Sequence, residues 1–256
     1  MPLLEFVDTH AHLMDEQFDS DREEVLARAA AAGVSRIVEI AASLEDWAKV
    51  LAFSRAHPDR VRCALGLHPY EADRCTDEVL KDLARQAALP EVVAIGEIGL
   101  DYARCPVPAP IQKETLRRIL EASRAWGKPL VIHCREAYAD LREILGPMNL
   151  RGVIHCFSGN VEDALFLVKA GFMLGADGPV TYPKNSVLRE AFRAAGPANT
   201  LLETDCPYLP PQSSRGKRNE PKAVMEIAAQ LAKVWGFSLD AAAHATTENA
   251  RLLFGL

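Results

Sequence analysis

The sequence predicts one (β/α)8 barrel with an additional C-terminal helix, spanning all 256 residues as a single domain. Three observations lead there. Short β-branched runs alternate eight times with longer amphipathic segments, no Pro/Ser-rich linker or shift in composition divides them, and histidines collect where the strand runs end. An open doubly wound sheet is the alternative, but its glycine-rich turn after the first strand is replaced by His10-Ala11-His12.

In order, the strand runs are residues 4–8, 35–41, 61–65, 92–96, 129–133, 152–155, 172–175 and 200–204. Helical segments follow at 20–32, 44–56, 76–88, 110–126, 137–145, 161–170, 185–194 and 220–234, with a ninth at 239–253. Ser43, Thr76 and Ser238 stand where helix N-caps are expected. Gly33, Gly127 and Gly171 follow helices, where a left-handed residue ends the turn.

Composition narrows the class. With 49% hydrophobic and 25% charged residues, the chain reads as a globular protein with one large core. No apolar run is long enough to span a bilayer, and Glu5 and Asp8 interrupt the N-terminus where a signal peptide would be apolar, so a cytoplasmic address is expected. Six cysteines without a CxxC pair are expected to be reduced. Cys134, Cys156 and Cys206 directly follow candidate ligands, but adjacent strand residues face opposite ways. The net charge of −6 argues against broad duplex binding, so any contact with DNA should be local.

The chemistry lies in the strand ends, where a barrel builds its active site. His10 and His12 are two residues apart, so both side chains leave one face of a strand and can converge on a metal; alone, the pair is equally an ordinary strand end. Strand three ends in His68, strand four in Glu97 and Asp101, strand five in His133, strand six in His155 and strand eight in Glu203 and Asp205. Four imidazoles and two carboxylates suit divalent metals and are too many for one site with an open position. Two ions are therefore predicted: one on His10, His12, Glu97 and Asp205, the other on Glu97, His133 and His155, with Glu97 as the bridge.

These residues sit in stretches that closely resemble the TatD family of metal-dependent hydrolases, within the amidohydrolase-like barrels: FVDTHAHL, GLHPYEA, GEIGLDY, PLVIHCREA, GVIHCFSG, LLETDCPYL, RGKRNEP and TTENARLLF. The resemblance runs from the first strand to the last helix. It implies a TIM barrel, the same ligand set, and phosphodiester hydrolysis supported by Mg2+, Mn2+ or Zn2+, often as a deoxyribonuclease. Two stretches depart from the family: Ser213-Ser214 stands where a histidine often precedes the RGK run, and residues 103–110 are unusually proline-rich. Both lie on the substrate side.

With two metals activating a water and clamping phosphate oxygens, Asp205 is the favoured general base, against a role as ligand only. Asp205 and Glu97 are thus the catalytic pair. Glu203 and Asp8, one layer deeper, are expected to orient a histidine or arginine, or to be simple barrel-layer acids. Arg135 and Lys184 are the first candidates to hold phosphates, with Arg215, Lys217 and Arg218 as a second cluster that could equally be a solvated charge run. His68 is placed against a phosphate or leaving group, or as a turn residue before Pro69, and Tyr208 against a base. The expected activity is exonucleolytic cleavage of DNA from single-stranded or frayed ends, by a monomer. An amidase or esterase such as an aminoacyl-tRNA deacylase is the alternative, and a catalytically silent barrel the third.

Overall fold

A computed structural model describes residues 4–256. Eight strands, β1 (Phe6–Ala11), β2 (Val34–Ile40), β3 (Val61–Leu65), β4 (Val92–Asp101), β5 (Leu130–Arg135), β6 (Gly152–Ile154), β7 (Phe172–Ala176) and β8 (Thr200–Leu202), pair in parallel in sequence order. Between and after them run α1 (Arg22–Ala31), α2 (Trp47–Ala56), α3 (Asp77–Ala87), α4 (Ala109–Ser123), α5 (Tyr138–Leu145), α6 (Val161–Lys169), α7 (Ser186–Ala195), α8 (Val224–Trp235) and α9 (Leu239–Phe254). The last strand closes on the first. Asp205 N–H donates to His10 O at 2.9 Å, His12 N–H donates to Cys206 O at 2.9 Å, and Thr9 Oγ1 donates to Leu202 O at 3.0 Å. The predicted (β/α)8 barrel is the fold.

Its interior is apolar at one end. Val7, Val38, Ala64, Ala94, Val131, Val153 and Leu201 form one buried cluster with Ala250, Leu253 and Phe254 of α9. The additional helix is therefore the plug at the N-terminal end of the barrel. Asn249 Nδ2 donates to Pro197 O at 2.8 Å and Thr200 O at 2.9 Å, and Thr247 Oγ1 to Glu5 O at 3.0 Å. The larger cluster, with Phe18, Leu83, Leu120 and Phe192, fills the space between strands and outer helices.

β1, β4 and β5 run two or more residues past their predicted ends, and β1 and β4 each carry a bulge. In β4 the pairing steps from Ile95↔Leu130 to Ile98↔Ile132, three residues against two, so the strand continues past Gly96 to Asp101. In β1 it steps from Asp8↔Ile37 to Ala11↔Glu39. Such insertions re-aim side chains, and here they fall at Glu97 and at His10. Helix ends follow simpler rules. Thr76 Oγ1 accepts from Val79 N–H and Ser238 Oγ from Ala241 N–H, both as expected. Ser43 caps nothing; the Leu44 N–H is taken at 2.9 Å by Glu71 Oε2, and a 3-10 turn leads into α2. Residues 220–223, predicted as helix, form a separate 3-10 turn at Pro221–Ala223, since Pro221 starts a turn readily but has no N–H to continue one.

Candidate metal centre

The strands deliver their polar ends to one point. His10 Nε2 lies 3.2 Å from His12 Nε2, 3.5 Å from Glu97 Oε2 and 3.7 Å from Asp205 Oδ1, and His12 Nε2 lies 3.3 Å from Asp205 Oδ1. A tetrahedral ion with bonds of about 2.0–2.1 Å sets its ligand atoms about 3.3 Å apart. His10, His12 and Asp205 thus stand close enough together to share a divalent cation, with Glu97 beside His10. Tautomers agree: His12 Nδ1 donates to Ile40 O at 3.0 Å, which leaves the Nε2 lone pair facing its neighbours.

The second half is built around the other oxygen of Glu97. Its Oε1 lies 2.6 Å from His133 Nδ1 and 3.8 Å from His155 Nε2, and Glu97 itself is only 4% exposed. His155 Nε2 is also 3.8 Å from Asp205 Oδ1, so Glu97 and Asp205 both stand between the two histidine groups. The structure brings together all six residues proposed as ligands. His10 and His155 stack with centroids 3.4 Å apart.

The charges in this basin are closely coupled. Burial disfavours a charged His12, but the Asp205 hydrogen bond and the fields of Asp205, Glu97 and Glu39 outweigh it and carry the imidazole up to about 9. His155 is carried up to about 10 against burial by Glu203, Glu97 and Asp205. Glu97 is held well below the usual carboxylate range by His155, His10 and His133, although burial opposes it. Without another cation, protons are the only positive charge that can balance these buried carboxylates.

Residues behind the ligands fall into distinct roles. Glu203 Oε1 lies 2.9 Å from His155 Nδ1, an ion-pair contact off the hydrogen-bonding direction, and accepts the Cys156 N–H at 2.6 Å. Gly175 makes room for it: a Cβ there would meet Glu203 Oε2 at 2.4 Å. Asp8 does not orient a ring. Its carboxylate accepts Thr204 N–H at 3.0 Å, Thr204 Oγ1–H at 2.6 Å and His10 N–H at 3.3 Å. That brace holds the backbone beside Asp205, whose φ of 55° is in the left-handed region and costs a non-glycine residue about 1–3 kcal/mol.

Asp101 is the residue that sequence reasoning left without a role. Fully buried, it lies 3.2 Å from His133 Nε2 and 3.4 Å from Arg135, and accepts the Ala103 and Arg104 N–H groups at 3.0 and 2.8 Å. Gln112 accepts the Asp101 N–H at 2.8 Å and donates to Asp101 O at 3.0 Å and Val107 O at 2.7 Å, so the proline-rich loop is tied to the Asp101 backbone. Its sequence sign was the apolar run resuming at Ile98 after Gly96.

Over the centre lies a cavity of about 1030 Å³ reached by Lys49, Arg104, Arg135, Tyr70 and Tyr208. His68 lines it too. Its Nδ1 accepts the Tyr70 N–H at 3.2 Å, and burial holds the imidazole down at about 4, so the neutral ring carries its proton on Nε2, 3.9 Å from Glu97 Oε1. His68 is both turn residue and donor toward the cleft. Tyr208 donates to Asp15 Oδ2 at 2.7 Å and is half exposed at the rim.

The second cationic cluster does not reach this cleft. Arg218 donates to Asp21 through both guanidinium ends at 2.7 Å and lies over the Phe18 ring, Arg215 stacks on Tyr182 at 4.3 Å, and Lys217 is exposed to solvent. None of these three lines the cleft: Asp21, just before α1, and Glu220 engage Arg218, and an aromatic face engages Arg215. Lys184 lines a neighbouring smaller cavity instead. Ser213 donates to Glu226 Oε2 at 2.5 Å, outside the centre. Among the described residues no cysteine joins a cluster able to hold an ion, and all six are free thiols.

Comparison with known proteins gives this geometry a lineage. The family described as TatD related DNase matches residues 7–255. The chain belongs to that family. It is 39% identical over 250 residues to the metal-dependent hydrolase YabD of Bacillus subtilis (strain 168), covering 96% of this chain and 98% of that one. It is 34% identical over 257 residues to the 3'-5' ssDNA/RNA exonuclease TatD of Pectobacterium carotovorum, covering 97% and 99%. The crystal structure of YjjV, a TatD homologue from Escherichia coli K12, superposes with a TM-score of 0.93 at 32% identity over 99% of both chains. As a TatD-family member this protein is a metal-dependent hydrolase, and it carries His, Glu and Asp clusters that could hold a metal ion. No described helix is long and apolar enough to cross a membrane.

Proposed function

We propose that this protein is a divalent-metal-dependent exonuclease acting on single-stranded or frayed DNA ends. The observation that carries the reading is the position of the donor set: buried carboxylates and imidazoles converge at the C-terminal mouth of the barrel, beneath a cleft into which Arg104, Arg135 and Lys49 reach. A recessed centre of this shape admits a strand end more easily than the middle of a duplex. The Pectobacterium relative, a 3'-5' ssDNA/RNA exonuclease by name, supports it.

His10, His12, Glu97 and Asp205 would hold one ion, and Glu97, His133 and His155 a second. Mg2+, Mn2+ or Zn2+ there would acidify a water and neutralise charge on phosphate oxygens. The chain's own residues do the rest. Asp205, with Oδ1 at 3.3 Å from His12, is placed to orient that water and take its proton at the carboxylate. Arg135 supplies positive charge to a phosphate while Asp101 fixes its guanidinium. His68 presents its Nε2–H to the same region. The substrate is local DNA, the protein works as a monomer, and it is cytoplasmic in this reading.

Hydrolysis of an end-labelled single-stranded oligonucleotide in Mg2+ or Mn2+ is the test. Cleavage is expected for the wild type and none for Asp205→Ala or His133→Ala. Full activity in both purified variants, or activity on aminoacyl esters but not on oligonucleotides, overturns the proposal.

A further inference from the structure

A smaller cavity of about 300 Å³ opens beside the main cleft and shares Cys156, Ser158 and Pro179 with it. Two kinds of wall make it up. Phe157, Pro179, Val187 and Leu188 are apolar, whereas Asp177 and Lys184 are charged. Asp177 is 1% exposed, and its buried Oδ2 has no hydrogen-bond partner of ordinary geometry, with only the weak thiol donor of Cys156 beside the carboxyl. Leaving a buried acceptor bare costs about 1–3 kcal/mol, so such an oxygen is normally met by a donor from elsewhere. Asp177 belongs to none of the described clusters able to hold an ion, so the metal centre does not account for it. Lys184 is exposed at the mouth and makes no ion pair among the described residues.

An apolar slot, one buried acceptor and one cation at the entrance match the three parts of a nucleotide: a flat base, an amine on its edge and a phosphate. At this volume the cavity takes one base or nucleoside and no more. We propose that it is a subsite for one nucleobase of the substrate strand, in which Asp177 accepts a hydrogen bond from the exocyclic amine of adenine, cytosine or guanine and Lys184 meets that nucleotide's phosphate. Thymine and uracil present a carbonyl where cytosine presents its amine, which sets two oxygens against each other once the Asp177 carboxyl, pushed up to about 8 by burial, has lost its proton. The subsite rests on the nuclease reading for its biological ligand, but its binding chemistry can be tested without hydrolysis.

Deoxyadenosine and thymidine monophosphates are titrated calorimetrically into the metal-loaded protein at about pH 9, where the Asp177 carboxyl is ionised. Separately, kcat/KM is measured on oligonucleotides that differ only in A or T at the last two positions. About a tenfold preference for the amine-bearing base is expected in each. Asp177→Leu removes the acceptor, and Val187→Trp, on a wall residue 58% exposed, fills the slot from the solvent side without disturbing the buried carboxylate. Both variants should bring the preference to about one. Equal binding of the two monophosphates by the wild type, or a preference that survives Val187→Trp, overturns the subsite. If no oligonucleotide is cut but the monophosphate preference and its loss are seen, the nuclease reading fails and the subsite stands.

Discussion

Asp101 Oδ2 lies 3.2 Å from His133 Nε2, while the other nitrogen of that ring lies 2.6 Å from Glu97 Oε1. The imidazole is thus held between a buried carboxylate behind it and the Glu97 carboxylate in front. With Nε2–H donated to Asp101, Nδ1 is the nitrogen left for a metal. Asp101→Asn should weaken metal binding on the His133 side by about 10- to 100-fold and loosen Arg135 as well. Metal titration together with KM for an oligonucleotide checks this, and unchanged affinity would remove Asp101 from the role.

Glu97 offers Oε2 to the His10 group and Oε1 to the His133 group. Glu97→Gln should therefore deplete both ions, whereas His10→Ala should deplete mainly one. Elemental analysis of the two purified variants decides it; equal loss in both counts against the bridge.

Since His68 uses Nδ1 to accept the Tyr70 N–H, its contribution to the cleft is the Nε2–H donor. Removing one such donor from a preorganised site costs about 10²- to 10³-fold in kcat. His68→Ala should show a fall of that order with metal content unchanged. A loss of metal in step with activity would instead make His68 a ligand, as its place beside Glu97 and His133 also allows.

At Gly175 the Cβ of an alanine would meet the Glu203 carboxylate at 2.4–2.6 Å. Overpacking of that kind costs about 1–3 kcal/mol, and here the displaced group is the partner of His155 Nδ1. Gly175→Ala should lower both thermal stability and metal affinity. A variant of ordinary stability and full metal content would show that Glu203 has room to move.

Arg218 is expected to matter for stability and not for turnover. Hydrogen bonds from Arg218 and then Arg28 hold the Asp21 carboxyl well below its ordinary value of 3.8. A depressed folded-state pKa gives stability that is present above the unfolded pKa and is lost as the pH falls through the folded one. Asp21→Asn should lower Tm at neutral pH, less so at high salt, and the difference should shrink as the pH drops below about 4. Melting curves of the wild type and variant across that range, with kcat measured alongside, are the check; a large kcat loss in Arg218→Ala at unchanged KM would return it to the site.

How much could be read from the chain alone follows from what each signal encodes. Alternating β-branched and amphipathic runs carry their own period, so eight strands, nine helices and the barrel were legible, as was the group of candidate ligands that converge at the mouth of the barrel. Directions of side chains were not. His10 and Glu97 face the centre through bulges in β1 and β4, and a bulge depends on the neighbouring strand's register, which no local pattern records. The same holds for Asp8, Asp101 and Asp177. As letters they are equivalent acids near strand ends; packing made one a brace for Thr204, one a clamp on His133 and Arg135, and left one with a bare buried oxygen. Arg218 was drawn away from the cleft for a related reason, because α1 brings Asp21 from nearly 200 residues earlier to meet it. Sequence determined which groups come to the mouth of the barrel, and tertiary structure decided what each one touches there.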